Sequence, residues 1–264
     1  MSGKPIVLCH GICPFDRLYL KPFRKLFSSD RFSYFKGIKS FLEENGYIVF
    51  SPWVSWGGTL ERRAMDLFGE IKRFSDDFGK FKKLNFVAHS MGGLDVRYMI
   101  YRFDLYEKVE HVITIGTPHH GTLLADLRVP GFKRFIDFCL GIGLDLRGFL
   151  DLTTKRMKEL NRVLGSQERR KDLKIWTIAG AQAYNNTFFL LRGSYKVLRA
   201  LEGENDGLVS VRSAVYDDGH FYKYWDLDHL NQIGWWDPSE ERERKEFYGY
   251  VKGLYMEAIG DIVG

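Results

Sequence analysis

Short apolar runs bounded by turn residues recur along the chain at 5–10, 47–51, 84–89, 111–116 and 174–179, each the length of a buried strand. Helical patterns lie between them. In "YFKGIKSFLEENG", Phe35, Ile38, Phe41 and Leu42 share one face, and Gly46 suits a left-handed stop. Over 59–78, Leu60, Ala64, Leu67, Phe68, Ile71 and Phe74 do the same, and a third pattern over 93–103 follows Ser90. Strands alternating with helices predict the α/β class: a mostly parallel central sheet with helices on both faces. In such sheets the active loops lie beyond the carboxyl ends of the strands. Two stretches break the alternation. Residues 122–165 include "RVPGFKRFIDFCLGIGLDLRGFLDL", and residues 184–201 read "YNNTFFLLRGSYKVLRAL". Apolar helices without a sheet to cover are either extra core or a lid over an apolar site. The first stretch is expected to be a lid or cap within one domain spanning 1–264, and the second a shorter insertion.

Composition narrows the picture. With 264 residues, 45% of them hydrophobic, the chain can bury the core of one large α/β domain. A net charge of +5 without any block of like charges argues against a nucleic-acid partner and leaves a weak attraction to anionic membrane surfaces. Three cysteines, Cys9, Cys13 and Cys139, do not form a disulfide framework. His10 between Cys9 and Cys13 lacks the second ligand pair that zinc requires. No run of 18 apolar residues is present, so no membrane-spanning helix is expected. The strand pattern starts by Ile6, leaving no room for a secretory leader; the chain is therefore expected in the cytoplasm, or outside the cell if a leader has been removed.

The runs at 5–10, 84–89 and 111–116 end in "HGICPFD", "AHSMGG" and "GTPHHGT", the run at 174–179 leads through the second insertion to "GENDGLV", and a final aromatic strand, "HFYKYW", leads to "DLDHLNQ". Five such endings on one edge of one sheet would converge in space. Ser90 is either a helix cap or a nucleophile on a sharp strand-to-helix turn. That turn tolerates only small residues around the serine; Ala88-His89-Ser90-Met91-Gly92 fits the G-x-S-x-G pattern with one added methyl. A serine nucleophile needs a base, and the base needs an orienting carboxylate. In this architecture the chain order is serine, acid, histidine. His229 is expected to be the base and Asp206 the acid, while Asp217 and Asp218 read as a surface turn and Asp226 and Asp228 lie too close to His229. The backbone N–H groups of Ile12 and Met91 are expected to form an oxyanion hole, with Gly11 letting the loop approach. His10 is expected to hold that loop. Gly11, His89 and His119 are candidate substrate contacts.

These residues resemble a family. "PIVLCHGICPFD", "AHSMGGLDVRYM", "ITIGTPHHGT", "LTTKRMKELN", "ENDGLVSVRSA" and "DHLNQ" are similar to the motifs of bacterial triacylglycerol lipases of the true-lipase group, across about residues 5–235. The resemblance implies the α/β-hydrolase fold, a triad of Ser90, Asp206 and His229, and an oxyanion hole from Ile12 and Met91. Many members hold a structural calcium with two aspartates; the matching positions here are Asn186 and Asn231, neutral amides and weaker ligands. No cofactor is expected to be required, and retention of the calcium is doubtful.

The expected activity is hydrolysis of carboxylic esters, acylglycerols above all, through an acyl-enzyme, with lipid or ester as substrate and contact with an oil–water or membrane interface. The alternatives are an acyltransferase or thioesterase on the same fold, and a non-catalytic lipid-binding protein.

Overall fold

The computed structural model describes residues 4–12, 33–127 and 147–264. Among the described residues six strands form one sheet: β1 (Pro5–Cys9), β2 (Ile48–Phe50), β3 (Leu84–His89), β4 (Val109–Ile115), β5 (Lys174–Gly180) and β6 (Phe221–Trp225). Their order is β2-β1-β3-β4-β5-β6, and every neighbouring pair is parallel. The chain moves outward from β1 to β2, then returns to the other side of β1 as β3. This switch leaves the loops after β1 and β3 side by side at the carboxyl edge, where ligands of open parallel sheets bind. The register pairs Cys9 with Ala88, so the segment starting at His10 leaves the sheet beside His89 and Ser90.

Alternate strand residues feed two cores, as the period of two requires. Ile6, Leu8, Val87, Ile113, Ile115 and Ile178 face helices α1 (Ile38–Glu44) and, at the chain's end, α9 (Arg244–Val263). Val7, Cys9, Phe86, Ala88, Val112 and Ile175 face α2 (Leu60–Phe74) and α3 (Met91–Arg102). Thr59 caps α2 by accepting from the Arg62 N–H, and Leu60, Ala64, Leu67 and Ile71 form its buried stripe. Each such leucine or isoleucine contributes about 1.5–3 kcal/mol when fully buried. Helix α9 buries Phe247, Val251, Leu254, Tyr255, Ala258 and Ile259 at helical spacing.

Between β4 and β5 lie α4 (Leu123–Leu127), α5 (Arg147–Leu150) and α6 (Thr154–Arg170). Residues 128–146, the middle of the expected lid, lie outside the described residues. The expected insertion boundary at 165 is corrected: α6 packs against α3, burying Met157, Leu160 and Leu164 and joining Glu168 to Arg97 in an ion pair at 2.8 Å. It is the crossover helix of the β4–β5 unit. The second insertion contains two short 3-10 turns, Tyr184–Asn186 and Phe189–Leu191, followed by α7 (Arg192–Leu201). A one-turn helix, α8 (Val211–Ala214), completes the path to β6.

Candidate active site

Strand β3 aims Ser90 at the carboxyl edge. The Ser90 N–H donates to the Ile115 carbonyl at 2.9 Å, continuing the β3–β4 ladder one residue past the strand. The backbone then turns abruptly, with Ser90 at φ 56°, ψ −133°. A positive φ at a residue carrying a Cβ costs about 1–3 kcal/mol and persists only where surrounding structure imposes it. Here the surroundings do: Thr117 Oγ1 donates to the Ser90 carbonyl at 2.8 Å, and a Cβ on Gly92 would lie 2.6 Å from the Cys9 carbonyl oxygen. Ser90 occupies the cap position of α3, but its side chain makes no capping hydrogen bond. Ser90 as a whole is half-buried, at the carboxyl end of β3.

The loop after β1 lies against it. A Cβ on Gly11 would sit 2.6 Å from Ser90 Cβ, so only glycine permits this approach. The loop is gripped from below. The His10 ring donates from Nδ1 to the Gly11 carbonyl at 2.8 Å, receives the Val54 N–H on Nε2 at 3.3 Å, and stacks on Trp56. Arg63, fully buried in α2, donates to the carbonyls of His10, Ser55 and Trp56 at 2.8, 2.8 and 3.0 Å, and bonds both carboxylate oxygens of Asp95. Removing one partner of such a buried pair costs about 3–5 kcal/mol. Sequence reasoning missed this clamp. Its signal was a charge at position 63, inside the apolar stripe of α2. Ile12 follows Gly11 in this loop, and Met91 is the first residue of α3.

Asp206 and His229 come together. Asp206 is fully buried in a turn closed by the Asn205–Ser210 bridge, and the His229 N–H donates to its carbonyl at 2.9 Å. Its Oδ1 accepts from the N–H groups of Leu208 and Val209 at 3.0 and 2.7 Å. Its Oδ2 accepts from His229 Nδ1 at 2.8 Å and from Gln232 Nε2 at 3.0 Å. A proton held on Nδ1 by the carboxylate leaves Nε2 of His229 as the basic nitrogen. The His229 ring packs 4.4 Å, centroid to centroid, from that of His89, the residue before Ser90.

Two expected substrate contacts are corrected. His89 is fully buried, with Tyr34 Oη 2.8 Å from its Nδ1 and Gln232 Oε1 3.1 Å from its Nε2, so both ring nitrogens are engaged inside the protein. Burial, reinforced by His229 nearby, holds its pKa well below the usual imidazole value. His119 is also fully buried, between Thr114 Oγ1 at 2.9 Å and the Arg97 guanidinium at 3.1 Å, and both burial and that cation keep it neutral. It braces the α3–α6 contact beneath β4 and does not reach the site edge.

The base loop is tied to the second insertion by Asp228. Its buried carboxylate accepts the N–H groups of Phe188, Leu230 and Asn231 at 2.6, 2.8 and 2.8 Å, and burial pushes its pKa up to about 7. Asn231 donates from Nδ2 to the Trp235 carbonyl at 2.7 Å, leaving Oδ1 buried without a partner. The Asn186 N–H donates to the Ala183 carbonyl at 3.0 Å.

A parallel sheet of this order, with its chemistry on the loops after β1, β3, β5 and β6, is the α/β-hydrolase fold. Comparisons with known proteins agree. A family model described as "Putative serine esterase (DUF676)" matches residues 58–130. Triacylglycerol lipase 2 of Saccharomyces cerevisiae is 28% identical over 277 residues, covering 92% of this chain and 84% of the relative. A triacylglycerol lipase of Pseudomonas fragi is 33% identical over 122 residues, 46% of this chain and 37% of the relative. In structure, the mature form of a Bacillus licheniformis lipase superposes with a TM-score of 0.69 at 23% identity, covering 95% of this chain and 92% of that one. A Staphylococcus hyicus lipase gives 0.68 at 17% identity, covering 98% and 96%. The chain thus has the α/β-hydrolase fold and is similar in sequence to triacylglycerol lipases and, over residues 58–130, to a family of serine esterases.

Proposed function

We propose that this enzyme cleaves the acyl esters of lipid alcohols, triacylglycerols among them, through Ser90, His229 and Asp206. The carrying observation is the pairing of a strained, uncapped serine at the end of β3 with a buried carboxylate–imidazole pair whose tautomer is set by Asp206. In this reading His229 Nε2 takes the Ser90 proton as Oγ attacks the ester carbonyl. The Ile12 and Met91 N–H groups, the latter at a helix N-terminus, stabilise the oxyanion. His229 then passes its proton to the leaving alcohol, and water, activated by the same nitrogen, cleaves the acyl-enzyme. Phe189 and Leu190 are exposed beside the Asp228-held Phe188 and offer an apolar contact to a lipid phase next to the base loop. No helix among the described residues is long and apolar enough to cross a membrane.

The test is a panel of p-nitrophenyl esters and emulsified triacylglycerols from short to long acyl chains. Release of fatty acid from the emulsions is expected. Turnover of soluble esters alone would confine the enzyme to esterase chemistry, and no turnover of either would reject the reading.

The base loop is proposed to need no calcium. Calcium takes six to eight oxygen ligands. Among the described residues no group of three or more carboxylate, histidine or cysteine side chains could hold a metal. Asp228 already spends its oxygens on three N–H donors, and Asn231 brings a neutral amide oxygen where a calcium site of the family has a carboxylate. The Asp228 clamp does the tethering instead. Accordingly, excess EDTA is expected to leave kcat within twofold and Tm within about 2 °C, as read by hydrolysis and thermal scanning. A Tm rise of 5 °C or more on adding calcium would contradict this.

A further inference from the structure

Behind the Asp206–His229 pair lies a closed line of buried side chains that the proposed chemistry does not yet use. Gln232, fully buried, places Nε2 3.0 Å from Asp206 Oδ2 and Oε1 3.1 Å from His89 Nε2; Tyr34 Oη lies 2.8 Å from the other nitrogen of that ring. The polarity of the line follows from its one charged end. A carboxylate accepts only, so Gln232 must turn its NH2 to Asp206 and its oxygen to His89. His89 then carries its proton on Nε2, and Tyr34 donates to the bare Nδ1. With the His89 ring neutral, as its burial favours, every donor meets an acceptor, and no other arrangement of protons satisfies all three contacts.

The fold makes room for this side chain at the cost of two strand ends. A Cβ on Gly180, the last residue of β5, would lie 2.0 Å from Gln232 Nε2. A Cβ on Gly116, just past β4, would lie 2.4 Å from Oε1. The backbone is fixed as well: the Gln232 N–H donates to the Asp228 carbonyl and its own carbonyl accepts from Tyr255 Oη, both at 3.0 Å.

We infer that Gln232, gripped by His89 and Tyr34, is a positioning residue that fixes the Asp206 carboxylate for His229. The inference rests on the triad reading above. Asp206 Oδ2 shares its lone pairs between His229 and Gln232, so the amide sets the direction from which the carboxylate meets the imidazole. It also adds a neutral donor where a second acid would compete. This gives His89 a purpose in the "AHSMG" turn: it orients the amide that orients the acid.

Two variants test it, read as kcat, KM and the pH profile of kcat/KM on a p-nitrophenyl ester, with Tm as a control. Gln232→Met keeps the length and removes the hydrogen bond. It is expected to lower kcat by roughly 10- to 100-fold, by analogy with the loss of a group that orients a metal ligand, while KM stays within twofold. Gln232→Glu sets a second carboxyl against Asp206; the two then share one proton, and its loss raises the proton affinity of His229. The acid limb of the profile is expected to move up by about one pH unit. A kcat for Gln232→Met within twofold of the parent, or a Gln232→Glu profile superimposed on the parent's, would overturn the inference. Should Gln232→Met fail to fold, the Gln232→Glu profile decides alone. An inactive parent would instead reject the triad reading on which this rests.

Discussion

Ser90→Ala is expected to lower ester hydrolysis by roughly 10^4- to 10^6-fold, the range seen when a serine nucleophile is removed from an intact triad. Stability is expected to change little. The hydroxyl makes no capping hydrogen bond to α3, so none is lost, and alanine carries the same Cβ into the same strained turn. A serine that served as a helix cap would behave in the opposite way: its loss would cost about 0.5–2 kcal/mol of stability and leave the chemistry alone. The strain gives a second handle. Ser90→Gly relieves the positive φ and is expected to raise Tm while abolishing activity, because the turn holds its geometry for function at the expense of stability. Hydrolysis rates and thermal scans on the same preparations separate the two roles.

The second large effect is expected at Asp206. In Asp206→Asn, the position of Oδ1 must remain an oxygen, because the Leu208 and Val209 N–H groups point at it. The new NH2 therefore takes the place of Oδ2, facing His229 Nδ1. The imidazole can answer only by becoming an acceptor there. Its proton moves to Nε2, the nitrogen that must be bare to take a proton from Ser90. The expected result is a fall in kcat of about 10^4-fold with KM little altered and Ser90 still folded into its turn. Activity within tenfold of the parent would mean that some other group orients the base.

Much of the fold is legible from period alone. The apolar runs that predict β1 to β5 fall on observed strands because parallel strands buried on both faces leave little room for polar residues. The lid boundary was not legible in the same way. The stretch from 122 mixes apolar runs with no clear period, and the stripe Met157, Leu160, Leu164 that marks α6 as a crossover helix begins only at its far end. At the site, chain order and small residues suffice for Ser90, Asp206 and His229, because those requirements are local. His89 and His119 show where local reading stops. A histidine in a reactive-looking motif is indistinguishable from a buried one until its partners are known, and those partners are remote: Gln232 lies 143 residues from His89, and Arg97 lies 22 from His119. Arg63 and Gln232 are harder still, since each works through a residue brought near only by folding.

The central claim is that Ser90 Oγ is the nucleophile that carries the acyl group. The most direct measurement is covalent capture with a fluorophosphonate, followed by intact-mass and peptide-mass analysis. One adduct per chain is expected, on the peptide containing Ala88-His89-Ser90-Met91-Gly92, formed in step with loss of hydrolysis and absent from Ser90→Ala. An active enzyme that stays unlabelled, or carries the adduct on another residue, would contradict the account.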